Sequence, residues 1–174
     1  MHLDWNSFVS VILGGALTLI AAVLTFKMTK VEREKEECRE IIPLFNFLVT
    51  KVAFLKSLEL HSSNIPTDSI VLESELADVN KRYGYVSRAL SINEIGEINR
   101  FCISLRQLES ARSDCRRASR KAYENELRIY KMFLDQAIKH IEGNSEKIGI
   151  NDIGGKIEYY FSKKIKGAYK GARK

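Results

Sequence analysis

The chain has 174 residues, a net charge of +6, two prolines, ten glycines and three cysteines. With an apolar N-terminal run set aside, about 145 residues remain, room for one soluble domain with a real core and too few for two. Cys38, Cys102 and Cys115 are odd in number and stand in no metal-binding spacing, which argues against a disulfide framework or a zinc site and reads as buried, reduced thiols.

The first predicted element is a membrane anchor. Trp5 to Phe26 carries no charge over 22 residues, and a helix of that length reaches ~30 Å, the thickness of the hydrocarbon layer. A secretory signal has a shorter apolar core of roughly 7 to 15 residues behind a basic segment. Here only His2 and Asp4 offer charge before the run, so an uncleaved anchor is expected. No Lys or Arg precedes it, whereas Lys27, Lys30, Arg33, Lys35 and Arg39 follow at once. The positive-inside rule therefore puts the N-terminus outside and the rest of the chain in the cytoplasm, with Trp5 in the outer headgroup belt.

On a helical wheel the run divides into two faces. Ser7, Ser10, Gly14, Thr18, Ala21 and Thr25 fall within about 80° of one another. Bulky Phe8, Val9, Ile12, Leu13, Leu19, Ile20, Val23 and Phe26 take the other side. Small residues let helix backbones approach closely and hydroxyls can bond across the contact, so the first face is a candidate oligomer interface. In a ring of such helices it would also line a narrow lumen. The bland reading is that Gly, Ala, Ser and Thr are common in membrane helices of every kind.

Lys27 to Glu40 holds five basic and five acidic residues and reads as a helical, solvated neck. Pro43 predicts a kink or restart near Glu40 to Ile42. Leu44, Phe45, Leu48, Val52, Leu55 and Leu58 then form a core stripe at helical spacing, widened by Phe47 and Phe54. Asn64, Pro66, Asp68 and Ser69 mark a turn. A further helix is expected from about Ile70 to Ala89, weakened at Gly84. Ser91 and Glu94 make a capping box, after which Ile92, Ile95, Ile98, Cys102, Leu105 and Leu108 recur at helical spacing, continued by Tyr123, Leu127, Tyr130, Leu134, Ala137 and Ile141. Between these two series either a turn falls near Ser113 to Ser119 or one long helix bends. Gly143 and Asn144 stop the helix, and residues 144–155 read as loop.

The expectation is an all-α fold without strands: an anchor over 1–27, a neck over 28–42, an antiparallel helical bundle over 43–155 and a basic C-terminal helix or tail over 156–174. Residues 1–155 balance at 21 basic and 21 acidic, so the last 19 residues carry the whole net charge. Ile157, Phe161, Ile165, Ala168 and Tyr169 gather on one side of that segment in helical geometry. It suits an anionic membrane surface, RNA phosphates, or a last helix docked on the bundle. A second basic run, Arg112, Arg116, Arg117, Arg120 and Lys121, sits among Glu109, Asp114 and Glu124 and reads as a solvated face or an RNA contact.

No phosphate loop, nucleophile elbow or metal-ligand set is present, and no cofactor is implied. His2 precedes the anchor, while His61 and His140 end helices, where the helix dipole favours them without a catalytic role.

One N-terminal span, a helical cytoplasmic bundle and this overall size resemble the small membrane accessory proteins of type VI-B CRISPR systems, which carry a divergent HEPN-like domain. The resemblance lies in layout over the whole chain. It implies an oligomeric pore in the bacterial inner membrane that strengthens antiphage defence alongside an RNA-guided, RNA-cleaving effector. The ribonuclease signature of that domain, an Arg followed four to six residues later by His, is absent here. Lys56 before His61 is the nearest match, and lysine lacks the planar fork of arginine. Three functions follow: a non-enzymatic homo-oligomeric pore, a membrane-tethered adaptor for a protein partner, and, weakest, a ribonuclease.

Overall fold

The structure, a computed structural model, describes residues 5–60 and 65–171, with side chains described over 14–60 and 65–164. Among the described residues the order is α1 (Trp5–Leu60), α2 (Glu73–Val86), α3 (Ile92–Arg117), α4 (Tyr123–Glu142), β1 (Gly143–Asn144), β2 (Lys147–Ile148) and α5 (Ile150–Gly171). The fold is mostly helical, as expected. The two strands, antiparallel and two residues each, are an addition to it that the sequence reading did not foresee.

α1 is one helix of 56 residues, about 84 Å long at the standard rise. It runs unbroken through Pro43, where a kink or restart was predicted. The reason lies in what its second half buries. Glu37, Ile41, Leu44, Leu48, Lys51, Leu55 and Leu58 are all buried, and they recur at alternating steps of four and three, the spacing of a coiled-coil seam. Packing along that seam outweighs the one backbone donor that proline removes. The same seam takes in part of the expected neck: every described residue from Gly14 to Arg33 is exposed, but from Glu37 onward α1 belongs to the bundle.

α2 is shorter than predicted. Ile70 and Val71 are buried in extended chain ahead of it. Their segment is pinned by the Ile70 N–H donating to Glu109 at 2.7 Å and by the Lys51 ammonium donating to the Ile70 carbonyl at 2.9 Å. Glu75 then accepts from the Leu72 N–H at 2.8 Å and starts the helix. The predicted capping box of α3 is present, with Ser91 and Glu94 bonded reciprocally. Its stripe is buried at Ile98, Cys102, Leu105 and Leu108, whereas Ile92 in the first turn faces out.

Between the two readings of the next stretch, the structure has two helices, joined through Ala118–Ala122 rather than one long bent helix. They pack antiparallel, the start of α3 against the end of α4, where Glu97 approaches His140. Tyr130, Leu134, Ala137 and Ile141 bury the inner face of α4, and Tyr123 at its start stays exposed.

Residues 144–155, read as loop, hold instead the hairpin and the start of α5. Ile150, Ile153 and Ile157 are fully buried at helical spacing, so this helix is nucleated by core packing that overrides Gly154 and Gly155. α5 lies against α1 and α4. Of the predicted C-terminal stripe, Ile157 is core and Phe161 half-buried. The side chains of Ile165, Ala168 and Tyr169 lie outside the described residues.

Candidate functional site

Three regions carry chemistry: the free end of α1, the joint below it, and a cleft on the far side of the bundle.

The described part of α1, Gly14–Leu60, is long and apolar enough to cross a membrane by length and composition. Its two halves differ in what covers them. In the second half the apolar stripe Ile41, Leu44, Leu48, Leu55 and Leu58 packs in the core. Leu17, Leu19, Ile20 and Phe26 have nothing against them and are 66, 68, 57 and 73 % exposed. On the small-residue face the Thr18 hydroxyl donates to the Gly14 carbonyl at 2.8 Å and the Thr25 hydroxyl to Ala21 at 2.9 Å. Each hydroxyl proton is thus satisfied within the helix, leaving oxygen lone pairs to face outward. A side chain at Gly14 would meet nothing within 4 Å, so this face is open in the single chain. Ser7 and Ser10 lie outside the residues whose side chains are described.

The joint is built on Glu37, whose side chain is 6 % exposed. One carboxylate oxygen takes the Arg88 guanidinium from the α2–α3 connection and the other takes the Lys164 ammonium from α5. Lys164 also stands 5.1 Å over the Tyr160 ring. Burial by itself would lower the pKa of Lys164; the Glu37 carboxylate and the Tyr160 hydroxyl outweigh it, and the pKa is raised. Next door Arg82 binds Glu40 and Asp78, tying α2 to α1. Cys38 is half-buried, and burial is the main reason its thiol pKa is raised. A second link joins α3 to α5: the Glu94 carboxylate accepts from Lys156 at 2.6 Å and from the Ser91 N–H at 2.6 Å. Burial would raise its pKa, and these hydrogen bonds overcome that and lower it.

The cleft, of about 470 Å³, opens between the first half of α3, the end of α4 and the hairpin. Glu97, Arg100, Ser104 and Gln107 line it from α3, Gln136, Lys139 and His140 from α4, and Asn144, Lys147 and Ile148 from the hairpin. Arg100 binds Glu97, and His140 Nδ1 is 4.0 Å from the other oxygen of the same carboxylate. The pKa of His140 is lowered from 6.5, chiefly by burial; Glu97 opposes this, and the charges of Lys147 and Arg100 add to it. The hairpin holds its tight shape through glycine. Gly143 has φ +68°, and a Cβ there would collide with the Lys147 carbonyl. At Gly149 a Cβ would stand 2.7 Å from the carbonyl of Ile141.

The sequence-predicted basic residues part company. Arg112 is buried in the bundle, bonded to Glu109 at 2.7 Å and to the Thr67 carbonyl at 3.1 Å. Arg116 donates to the same carbonyl at 2.6 Å. Arg117, Arg120 and Lys121 are exposed at the end of α3 and in the following connection. Lys56 stands 3.5 Å from Glu142 in an open ion pair. His61, with which it was matched, lies outside the described residues, as does His2. Sequence reasoning passed over Glu97 and Arg100, which reach His140 only through the folding of α4 back on α3, and Lys147, which the hairpin after α4 turns toward it. Among the described residues no group of three or more His, Cys, Asp or Glu could hold a metal ion.

No family profile matches the chain, and neither a curated protein nor a solved structure is significantly similar to it.

Proposed function

We propose that this chain is a single-span membrane protein that self-associates through the small-residue face of α1 and permits leakage across the membrane, with its bundle on the cytoplasmic side. The observation that carries the reading is the uncovered first part of α1. Leaving Leu17, Leu19, Ile20, Val23, Leu24 and Phe26 in water costs on the order of 10 kcal/mol, comparable to the entire stability of a domain. In a soluble core helix those side chains would be covered by the chain itself, as Leu44, Leu48 and Leu55 are. Lipid on the bulky face and neighbouring copies on the small face remove that cost.

Orientation has a second support in α5. It runs back along α1 toward the span, since Lys164 reaches Glu37. Glu37 lies eleven residues beyond Phe26, about 16 Å, and α5 continues from Lys164 to Gly171, about 10 Å further toward the span. On this rise position 170, a lysine, stops about 7 Å short of the height of Phe26 and position 166, also a lysine, about 13 Å short, so the end of α5 brings positive charge toward the side of the span on which anionic headgroups would favour it. The reading assigns the chain no catalytic step. Its place in antiphage defence beside an RNA-guided effector rests on the resemblance in layout to type VI-B CRISPR accessory proteins.

The test is the doubly substituted Gly14→Leu, Thr18→Leu protein. It is expected to fold, to run as a smaller detergent-solubilised particle, and to release less dye from vesicles. Unchanged particle mass and leakage would sink the proposal. If the span can be exchanged for an unrelated monomeric anchor without loss of function, the chain is instead a tethered adaptor.

A further inference from the structure

The cleft between α3, α4 and the hairpin has the size and the charge of a ligand site. Its volume of about 470 Å³ falls inside the range of small-molecule pockets, roughly 300 to 1,000 Å³. Three cations line it, Arg100, Lys139 and Lys147, against one carboxylate, Glu97, which Arg100 already occupies. Lys139 has only an open pair with Asp135 at 2.7 Å, both side chains well exposed, and such pairs are given up at little cost. Lys147 has no ion pair among the described residues. The wall is not uniformly polar: Ile103 and Ile148, 43 and 46 % exposed, offer it two apolar surfaces. The glycine-dependent hairpin places Lys147 and Ile148 at the rim, so a bundle that needed only a connection between α4 and α5 has a shaped one there.

We propose that this cleft binds a small organic phosphate of about nucleotide size, with the phosphate held by Lys147, Lys139 and Arg100 and the organic part against Ile103 and Ile148. Charge-assisted hydrogen bonds from several cations are what a doubly charged phosphate takes, and the apolar wall adds affinity for a flat or greasy moiety that free phosphate lacks. His140, half-buried at the end of α4, adds a further polar edge to the lining.

The experiment uses the full chain in detergent, with adenosine monophosphate as the probe and adenosine and inorganic phosphate as controls, followed by equilibrium dialysis. Saturable binding of the nucleotide is expected, with adenosine at least tenfold weaker and phosphate weaker than the nucleotide. Lys147→Glu and Lys139→Glu, both at exposed positions, should each weaken it about tenfold, while Arg117→Glu outside the cleft leaves it unchanged. Absence of saturable binding up to about 1 mM, or equal loss in Arg117→Glu, overturns the proposal. So does a single-stranded RNA oligonucleotide that binds far more tightly than the mononucleotide and is insensitive to Lys147→Glu. None of these outcomes depends on the span, so they are read separately from leakage.

Discussion

Neutralising Glu37 with Glu37→Gln is the perturbation whose consequence follows most directly from the packing. This carboxylate joins three segments, α1, the α2–α3 connection and α5, through Arg88 and Lys164. Its side chain is 6 % exposed and that of Lys164 20 %, whereas Arg88 is half in water. Breaking a fully buried pair costs about 3–5 kcal/mol; the residual exposure of Lys164 brings its share to about 2, and the open Arg88 adds under about 1. The sum, about 2–3 kcal/mol, corresponds to roughly 10 °C in Tm for a bundle of this size. Circular dichroism melts in detergent measure it. A double-mutant cycle with Lys164→Met isolates the pair and should return a coupling of about 1.5–2 kcal/mol. Replacing both by apolar side chains, Glu37→Leu with Lys164→Met, should recover most of the loss, because an apolar pair needs no mutual compensation. Glu37→Gln within about 0.5 kcal/mol of the unaltered chain, or a coupling near zero, would show that the Glu37 pair does not hold α5, which would then rest on its isoleucines and the Lys156–Glu94 link.

Tyr130 is buried and its hydroxyl has no hydrogen-bond partner among the described residues, so Tyr130→Phe should leave stability unchanged or raise it by about 1 kcal/mol in denaturant titration. Gly143→Ala should destabilise the bundle by about 1–3 kcal/mol, since both the positive φ and the Lys147 carbonyl oppose a Cβ; the same melts detect it. Stability should fall in two steps as pH is lowered. His140 is depressed below 6.5 in the folded chain, so the unfolded chain takes up its proton first. That contribution is intact above 6.5 and is lost as pH falls through 6.5 toward the folded value. Glu94 and Glu109 are lowered from 4.5, so their contribution is present above 4.5 and is lost as pH falls further through their folded values. His140→Gln should remove the first step and keep the second in denaturant midpoints measured against pH.

Local pattern was enough for much of this molecule. The uncharged run from Trp5 to Phe26, the core stripes of α1, α3 and α4, and the Ser91–Glu94 cap are short-range signals, and all but the first lie within a few turns of the helix they define. The misjudged places are those where a distant contact outvotes a local rule. Pro43 should break a helix and does not, because Ile41, Leu44 and Leu48 are held by the rest of the bundle. Gly154 and Gly155 should belong to a loop and lie in α5, because Ile150, Ile153 and Ile157 are buried on either side of them.

The N-terminal helix itself was legible from composition, since hydropathy and flanking charge are properties of the chain alone. What only the tertiary structure decided is how that helix is joined to everything else. A balanced run of charges between Lys27 and Glu40 reads as a loose, solvated neck. Folding brings Arg88 and Lys164, 51 and 127 residues away, onto Glu37, and converts its end into a buried joint. The cleft around His140 has the same origin, for Glu97 and Arg100 become its neighbours only when α4 turns back on α3, while the hairpin that follows α4 turns Lys147 toward it. Charge pairing of this kind depends on distance in space, which no window along the sequence measures.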